Sequence, residues 1–161
     1  ITEDAYIRII GDKTASLFAA SGELGMILSG ADDEKKVLAR ELGELLGTAF
    51  QIIDDTLDYN GDAEKMGKPT FLDVTSNTMT LPLIYSLRDM NADEIQLFLA
   101  ENANSTENIL ELVKQNGGIE YANNRAREFS DKGREIMSRF KNKEAYDMFG
   151  HFFEMLMKRH F

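Results

Sequence analysis

Apolar residues recur at three- and four-residue spacing through Leu42, Leu45, Leu46, Ala49, Phe50, Ile53 and Leu57, which places one buried stripe along a long helix. Asp32, Asp33 and Glu34 open that helix with acids at its positive end, and Asn60-Gly61 is expected to stop it. Upstream, residues 4–20 predict a first helix capped by Thr2 or Asp4, with Tyr6, Ile9, Ile10, Leu17 and Phe18 buried. Gly22 and Gly25 loosen its continuation through Met26, Ile27 and Leu28, and Gly30 ends the run. Residues 60–78 form the long irregular stretch of the chain, and a loop of that length in a compact helical domain is more often functional than idle. Further helices are predicted over residues 79–88, 92–101, 106–115, 119–140 and 143–159, with Asn91, Ser105 and Asn142 as caps and Gly117-Gly118 as a break.

Two details of this pattern bear on packing. Gly43 and Gly47 interrupt the long helix at a cost of up to about 1 kcal/mol each relative to alanine, and close helix packing accounts for them better than clearance for a ligand. Phe149, Phe152, Phe153, Leu156 and Met157 near the end read as core or subunit interface before substrate pocket.

Composition supports an all-α fold. The chain has two prolines, no cysteine and many Leu, Ala, Glu, Lys and Met residues. Its 161 residues suit a single helical domain, 1–161, large enough to bury about two-thirds of the surface of the unfolded chain. A formal charge of −10, with no basic cluster larger than Lys158-Arg159, disfavours nucleic acid as a partner. No apolar run approaches the roughly 18 residues of a membrane span, and the absence of cysteine suits a reducing cytoplasm. The first residue is Ile1 rather than methionine, which suggests a processed or trimmed product.

The chemistry is concentrated in Gln51-Ile52-Ile53-Asp54-Asp55-Thr56-Leu57-Asp58. At 3.6 residues per turn, Gln51, Asp54, Asp55 and Asp58 share an arc of roughly 100° beside the apolar stripe, so they can face one cleft. Three anions in a last helical turn repel one another and meet the negative end of the macrodipole, each effect costing a few tenths to about 1 kcal/mol. A polyvalent cation reverses both signs. Mg²⁺ takes one or two carboxylates and completes its octahedron with water and phosphate oxygens, so Asp54, Asp55 and Asp58 are candidate ligands of a diphosphate-bound metal. His151 and His160 have no Cys or acid partner at ligand spacing and are ordinary residues.

Around this acidic helix end lie Gly11-Asp12-Lys13-Thr14-Ala15 upstream, and Met66-Gly67-Lys68-Pro69, Asp73 and Thr80-Leu81-Pro82-Leu83-Ile84 downstream. In that order, with Phe50-Gln51-Ile52-Ile53-Asp54-Asp55 between them, they resemble the trans-type isoprenyl diphosphate synthases, the polyprenyl synthetase family. The resemblance runs in specific motifs from Tyr6 to Leu87. It implies the helical-bundle isoprenoid synthase fold, a Mg²⁺-dependent prenyltransferase, and isopentenyl diphosphate and an allylic diphosphate as substrates, in a homodimer. By the same resemblance Lys13 and Lys68 contact the allylic diphosphate, and Thr14 and Gln51 add neutral hydrogen bonds. Such enzymes use two aspartate-rich motifs, of which this chain matches the second. The chain is therefore expected to be the C-terminal part of a polyprenyl synthetase domain, inactive by itself for want of the first motif. Asn77 and Thr78 stand where many members carry Gly-Lys, so one diphosphate-binding lysine is missing. The alternative is a non-catalytic short subunit of a heteromeric synthase.

Overall fold

The computed structural model describes residues 1–59, 78–102 and 105–157. The predicted stop at Asn60-Gly61, the Met66-Gly67-Lys68-Pro69 motif, Asp73, Asn77, Lys158-Arg159 and His160 lie outside the described residues, as does the side chain of Met157. The all-α expectation holds: every regular element among the described residues is helical.

Helix α1, Glu3–Ile10, starts at Thr2, whose hydroxyl accepts from the Ala5 amide at 3.3 Å and satisfies one of the donors a helix start leaves open. Gly11–Ala15 then forms a π-helical segment, and α2, Ser16–Leu28, continues from it. The helix expected over residues 4–20, with its continuation through Leu28, is thus present as one long run, widened at Gly11–Ala15. Its buried positions are Tyr6, Ile10, Ala15 and Ala19, spaced four, five and four residues apart, and the step of five is the π turn. Two expectations are corrected: that extra residue leaves Leu17 69% exposed, and Ile9, before the π turn and off the Tyr6–Ile10 face, is 52% exposed. With Leu24 and Leu28, also exposed, Leu17 forms an uncovered apolar face on α2. Gly30, at a φ of 73°, turns the chain into α3 in a conformation that glycine adopts without strain.

Helix α3, Asp33–Leu57, begins at Asp32, whose carboxylate accepts from the Lys35 amide at 2.9 Å and pairs with the Lys35 ammonium at 2.5 Å. It runs through the centre of the fold. Its upper apolar residues pack with Tyr6, Ile10, Leu81, Ala122 and Ala126; lower down, Leu42 meets Ile136 and Met137, and Leu46 and Ala49 meet Phe153 and Leu156. The seam with α2 is tight because of glycines. A methyl group at Gly43 would overlap the Phe18 carbonyl, and one at Gly47 would lie 2.6 Å from the Ala15 Cα, so these residues serve close packing as the sequence suggested.

After the undescribed span come α4, Leu81–Ser86, with Pro82 in its first turn where no amide hydrogen is needed, and α5, Ala92–Glu101, opened by an Asn91/Glu94 capping box. Helix α6, Thr106–Gln115, follows Ser105, whose side chain makes no capping hydrogen bond, contrary to expectation. Gly117, at a φ of 70°, breaks the chain before α7, Gly118–Ser138. Asn142 caps α8, Lys143–Met157, accepting from the Ala145 amide at 3.0 Å. Of the terminal apolar cluster, Phe153 and Leu156 belong to the core, whereas Phe152 stands at the surface.

The N-terminus of α1 is fastened to α7. The Glu3 carboxylate accepts from the Tyr121 hydroxyl at 2.5 Å and from Arg125 Nε at 2.7 Å. Tyr121 stacks on Tyr85 with ring centroids 3.8 Å apart, and Arg88 lies over the far face of that pair, 4.0 Å from the Tyr85 centroid. Burial first, then the hydrogen bond to Glu3 and its charge, push the Tyr121 phenol up from 10.0 to about 12. Because the folded value is raised, the stability this group contributes is full below pH 10.0 and is lost as pH rises towards 12. Ultraviolet titration should therefore find a late phenol that Glu3→Gln moves to lower pH; an unchanged titration would show that Glu3 does not hold it.

Candidate functional site

Three elements converge at the C-terminal end of α3. Thr14, on the π-helical segment, donates its hydroxyl to Gln51 Oε1 at 2.7 Å. With its carbonyl thus engaged, the Gln51 amide donates through Nε2 to Asp55 Oδ1, also at 2.7 Å. The second oxygen of Asp55 accepts from the Tyr6 hydroxyl of α1 at 2.6 Å. A continuous chain of hydrogen bonds, Thr14–Gln51–Asp55–Tyr6, therefore joins residues that are 37 and 49 positions apart in pairs. Both O–H···O bonds have ordinary lengths, and the one to the carboxylate is charge-assisted.

The acids do not share one environment, although they share one arc. Asp54 and Asp58 are half-buried, whereas Asp55 is 8% exposed. The reason lies in Ile52, which is fully buried and widens the apolar stripe to within about 60° of Asp55. One edge of the acidic arc is thereby drawn under neighbouring helices, where a carboxylate needs hydrogen-bond donors to be stable. Tyr6 and Gln51 supply them. Asp58 is the C-cap of α3, and the last turn of that helix contains no basic residue, so the charge of the acids adds to the negative end of the helix dipole.

Lys13 is exposed, one position before Thr14 on the same widened turn. Lys68 lies outside the described residues. Both flanks of the span that contains it are nevertheless pinned together, since the buried Tyr59 and Thr80 hydroxyls lie 2.7 Å apart. Thus the structure brings Thr14, Gln51 and Asp55 into direct contact and sets Lys13, Asp54 and Asp58 on the same two elements.

Among the described residues no three His, Cys, Asp or Glu side chains converge to hold a metal by themselves. The donors at the end of α3 are hard carboxylate oxygens on neighbouring helical positions. That set suits a cation which takes one or two carboxylates and fills its other positions with phosphate oxygens and water, and it does not suit an all-protein cage.

Tyr6 was legible in the sequence only as a core residue. The available signal was its hydroxyl, because a tyrosine on a buried stripe must find a polar partner; which partner depended on the packing of α1 against α3.

Residues 1–116 match the family model described as "Polyprenyl synthetase". The chain is 38% identical over 137 residues to the octaprenyl diphosphate synthase of Escherichia coli K12, covering 82% of this chain and 42% of that protein. It is 33% identical over 137 residues to the geranylgeranyl diphosphate synthase of Saccharolobus solfataricus, covering 81% and 41%. Among solved structures, the heptaprenyl diphosphate synthase of Staphylococcus aureus superimposes with a TM-score of 0.88 at 25% identity, over 100% of this chain and 52% of that one. The decaprenyl diphosphate synthase of Rhodobacter capsulatus gives 0.87 at 29%, over 100% and 51%. The chain thus spans about half the length of the solved relatives, and its helices follow the fold of those synthases.

Proposed function

Because the chain belongs to the polyprenyl synthetase family, we propose that it is the C-terminal portion of a trans-prenyltransferase that joins isopentenyl diphosphate to an allylic diphosphate. The observation that carries this reading is the hydrogen-bond chain from Thr14 through Gln51 to Asp55, which ties the Lys13-Thr14 motif to the acidic end of α3. Lys13 and Lys68 would bind the allylic diphosphate as cations, and Thr14 and Gln51 would orient it through neutral hydrogen bonds. Asp54, Asp55 and Asp58 would hold Mg²⁺. When bound, Mg²⁺ supplies charge neutralisation to the diphosphate as the allylic carbon–oxygen bond breaks. The buried wall of Ile52, Ile53 and Leu57 behind the acids keeps bulk water from screening them.

The uncovered face of α2, where Leu28 is 87% exposed and Leu17 69%, supports a larger bundle completed by further chain, since contiguous apolar patches of this kind are seldom left to solvent. On this reading the 161 residues alone do not turn over, the whole enzyme pairs as a homodimer, and it works in the cytoplasm. Incubation of the intact gene product with Mg²⁺, isopentenyl diphosphate and an allylic diphosphate should yield an elongated prenyl diphosphate. No product from the intact protein would overturn the proposal.

A further inference from the structure

We propose that Tyr6 is a positioning residue that fixes the Asp55 carboxylate for metal–diphosphate binding, a role no catalytic motif of the chain assigns to it. Tyr6 is 3% exposed and packs with Ile10, Ile52, Ile53 and Leu57. In such surroundings its ring needs no polar neighbour, yet its hydroxyl reaches Asp55 Oδ2 at 2.6 Å from another helix. Gln51 holds the other oxygen at 2.7 Å, and Thr14 fixes the Gln51 amide by occupying its carbonyl. The plane of the carboxylate is therefore defined from both sides.

Outer-shell donors of this kind orient metal-binding groups, and their loss typically lowers metal affinity about 10–100-fold. The aromatic ring does the packing and the hydroxyl does the positioning, so the two can be separated by one atom. The inference rests on the prenyl-transfer reading of the same site.

The test uses the intact gene product with Mn²⁺ as probe, titrated calorimetrically in the presence of inorganic diphosphate. Tyr6→Phe should weaken Mn²⁺ binding about tenfold or more and lower kcat, while KM for isopentenyl diphosphate and the circular dichroism spectrum stay unchanged. Asp55→Asn supplies the second arm. If Tyr6 acts through Asp55, adding Tyr6→Phe to Asp55→Asn should weaken Mn²⁺ binding no further, whereas additive losses would overturn the proposal. Wild-type Mn²⁺ affinity in Tyr6→Phe would overturn it as well. Should the wild-type protein bind no Mn²⁺ with diphosphate, the functional reading itself falls and takes this inference with it; a normal wild type with an unaffected Phe variant removes the inference alone.

Discussion

Asp54→Ala in the intact protein is expected to lower turnover about 10²–10³-fold, the usual cost of removing a preorganised electrostatic group, and to cost more than Asp58→Ala. Asp54 lies within the body of α3, between the fully buried Ile53 and the buried Leu57. The regular hydrogen-bonded helix fixes the backbone that carries it. Asp58 is the residue that closes the helix, at a terminus where backbone order falls off and where water can more readily replace a carboxylate ligand. Both charges are half-buried, so screening alone does not separate them; the difference is in how firmly each is held. Steady-state kinetics of the two single variants at saturating Mg²⁺ decide the matter. Equal losses, or the reverse order, would show that position along the helix does not rank these carboxylates.

The largest effect on stability is expected from Gly43→Ala. The added methyl group would meet the Phe18 carbonyl carbon at 2.6 Å and the Ala19 Cα at 2.8 Å, and both belong to the backbone of α2. Backbone atoms in a helix cannot rotate aside as a side chain can, so α2 and α3 must separate. Overpacking of this kind costs about 1–3 kcal/mol, which outweighs the roughly 0.5–1 kcal/mol that alanine gains over glycine within a helix. Gly25→Ala is the control, since a methyl group there has nothing within 4 Å; it should raise the melting temperature through helix propensity alone. Thermal melts that move the same way for both variants would remove the close-packing account of the α2–α3 seam.

Much of this architecture was legible from local chemistry. Asn91 and Asn142 cap the helices they were expected to cap, and Leu42, Leu46, Ala49, Ile53 and Leu57 are buried as their spacing required, because caps and stripes are decided within a few residues of chain. Leu17 was misread for a physical reason: regular periodicity carries no information about a π turn, and one extra residue at Gly11–Ala15 centres the buried face on Ala15 and Ala19, leaving Phe18 half-buried; Ile9, which precedes that turn, stands off the Tyr6–Ile10 face by ordinary helix geometry. At the candidate site, the residue types and their shared arc were legible, as was the resemblance they carry. The hydrogen bonding of Asp55 from outside its own helix was not. It depends on Tyr6, which stands 49 positions away, and a contact of that separation is settled by how α1 lies against α3 and not by either segment's own pattern.

The π-helical segment also decides which changes of length the chain can accept. Deleting one residue from Gly11–Ala15 would let the helix continue with regular i to i−4 bonding, a locally favourable repair. Because the step of five between Ile10 and Ala15 would become a step of four, Tyr6, Ile10 and the buried alanines would stay on one face, whereas the same deletion in a regular helix turns one end against the other by about 100° and draws it in by about 1.5 Å. Tyr6 would stay beside Asp55, and Glu3 beside Tyr121 and Arg125. A gap of a single residue, which would re-aim one end of a regular helix, is therefore absorbed at Gly11–Ala15 and leaves the amino-terminal side of the molecule in place.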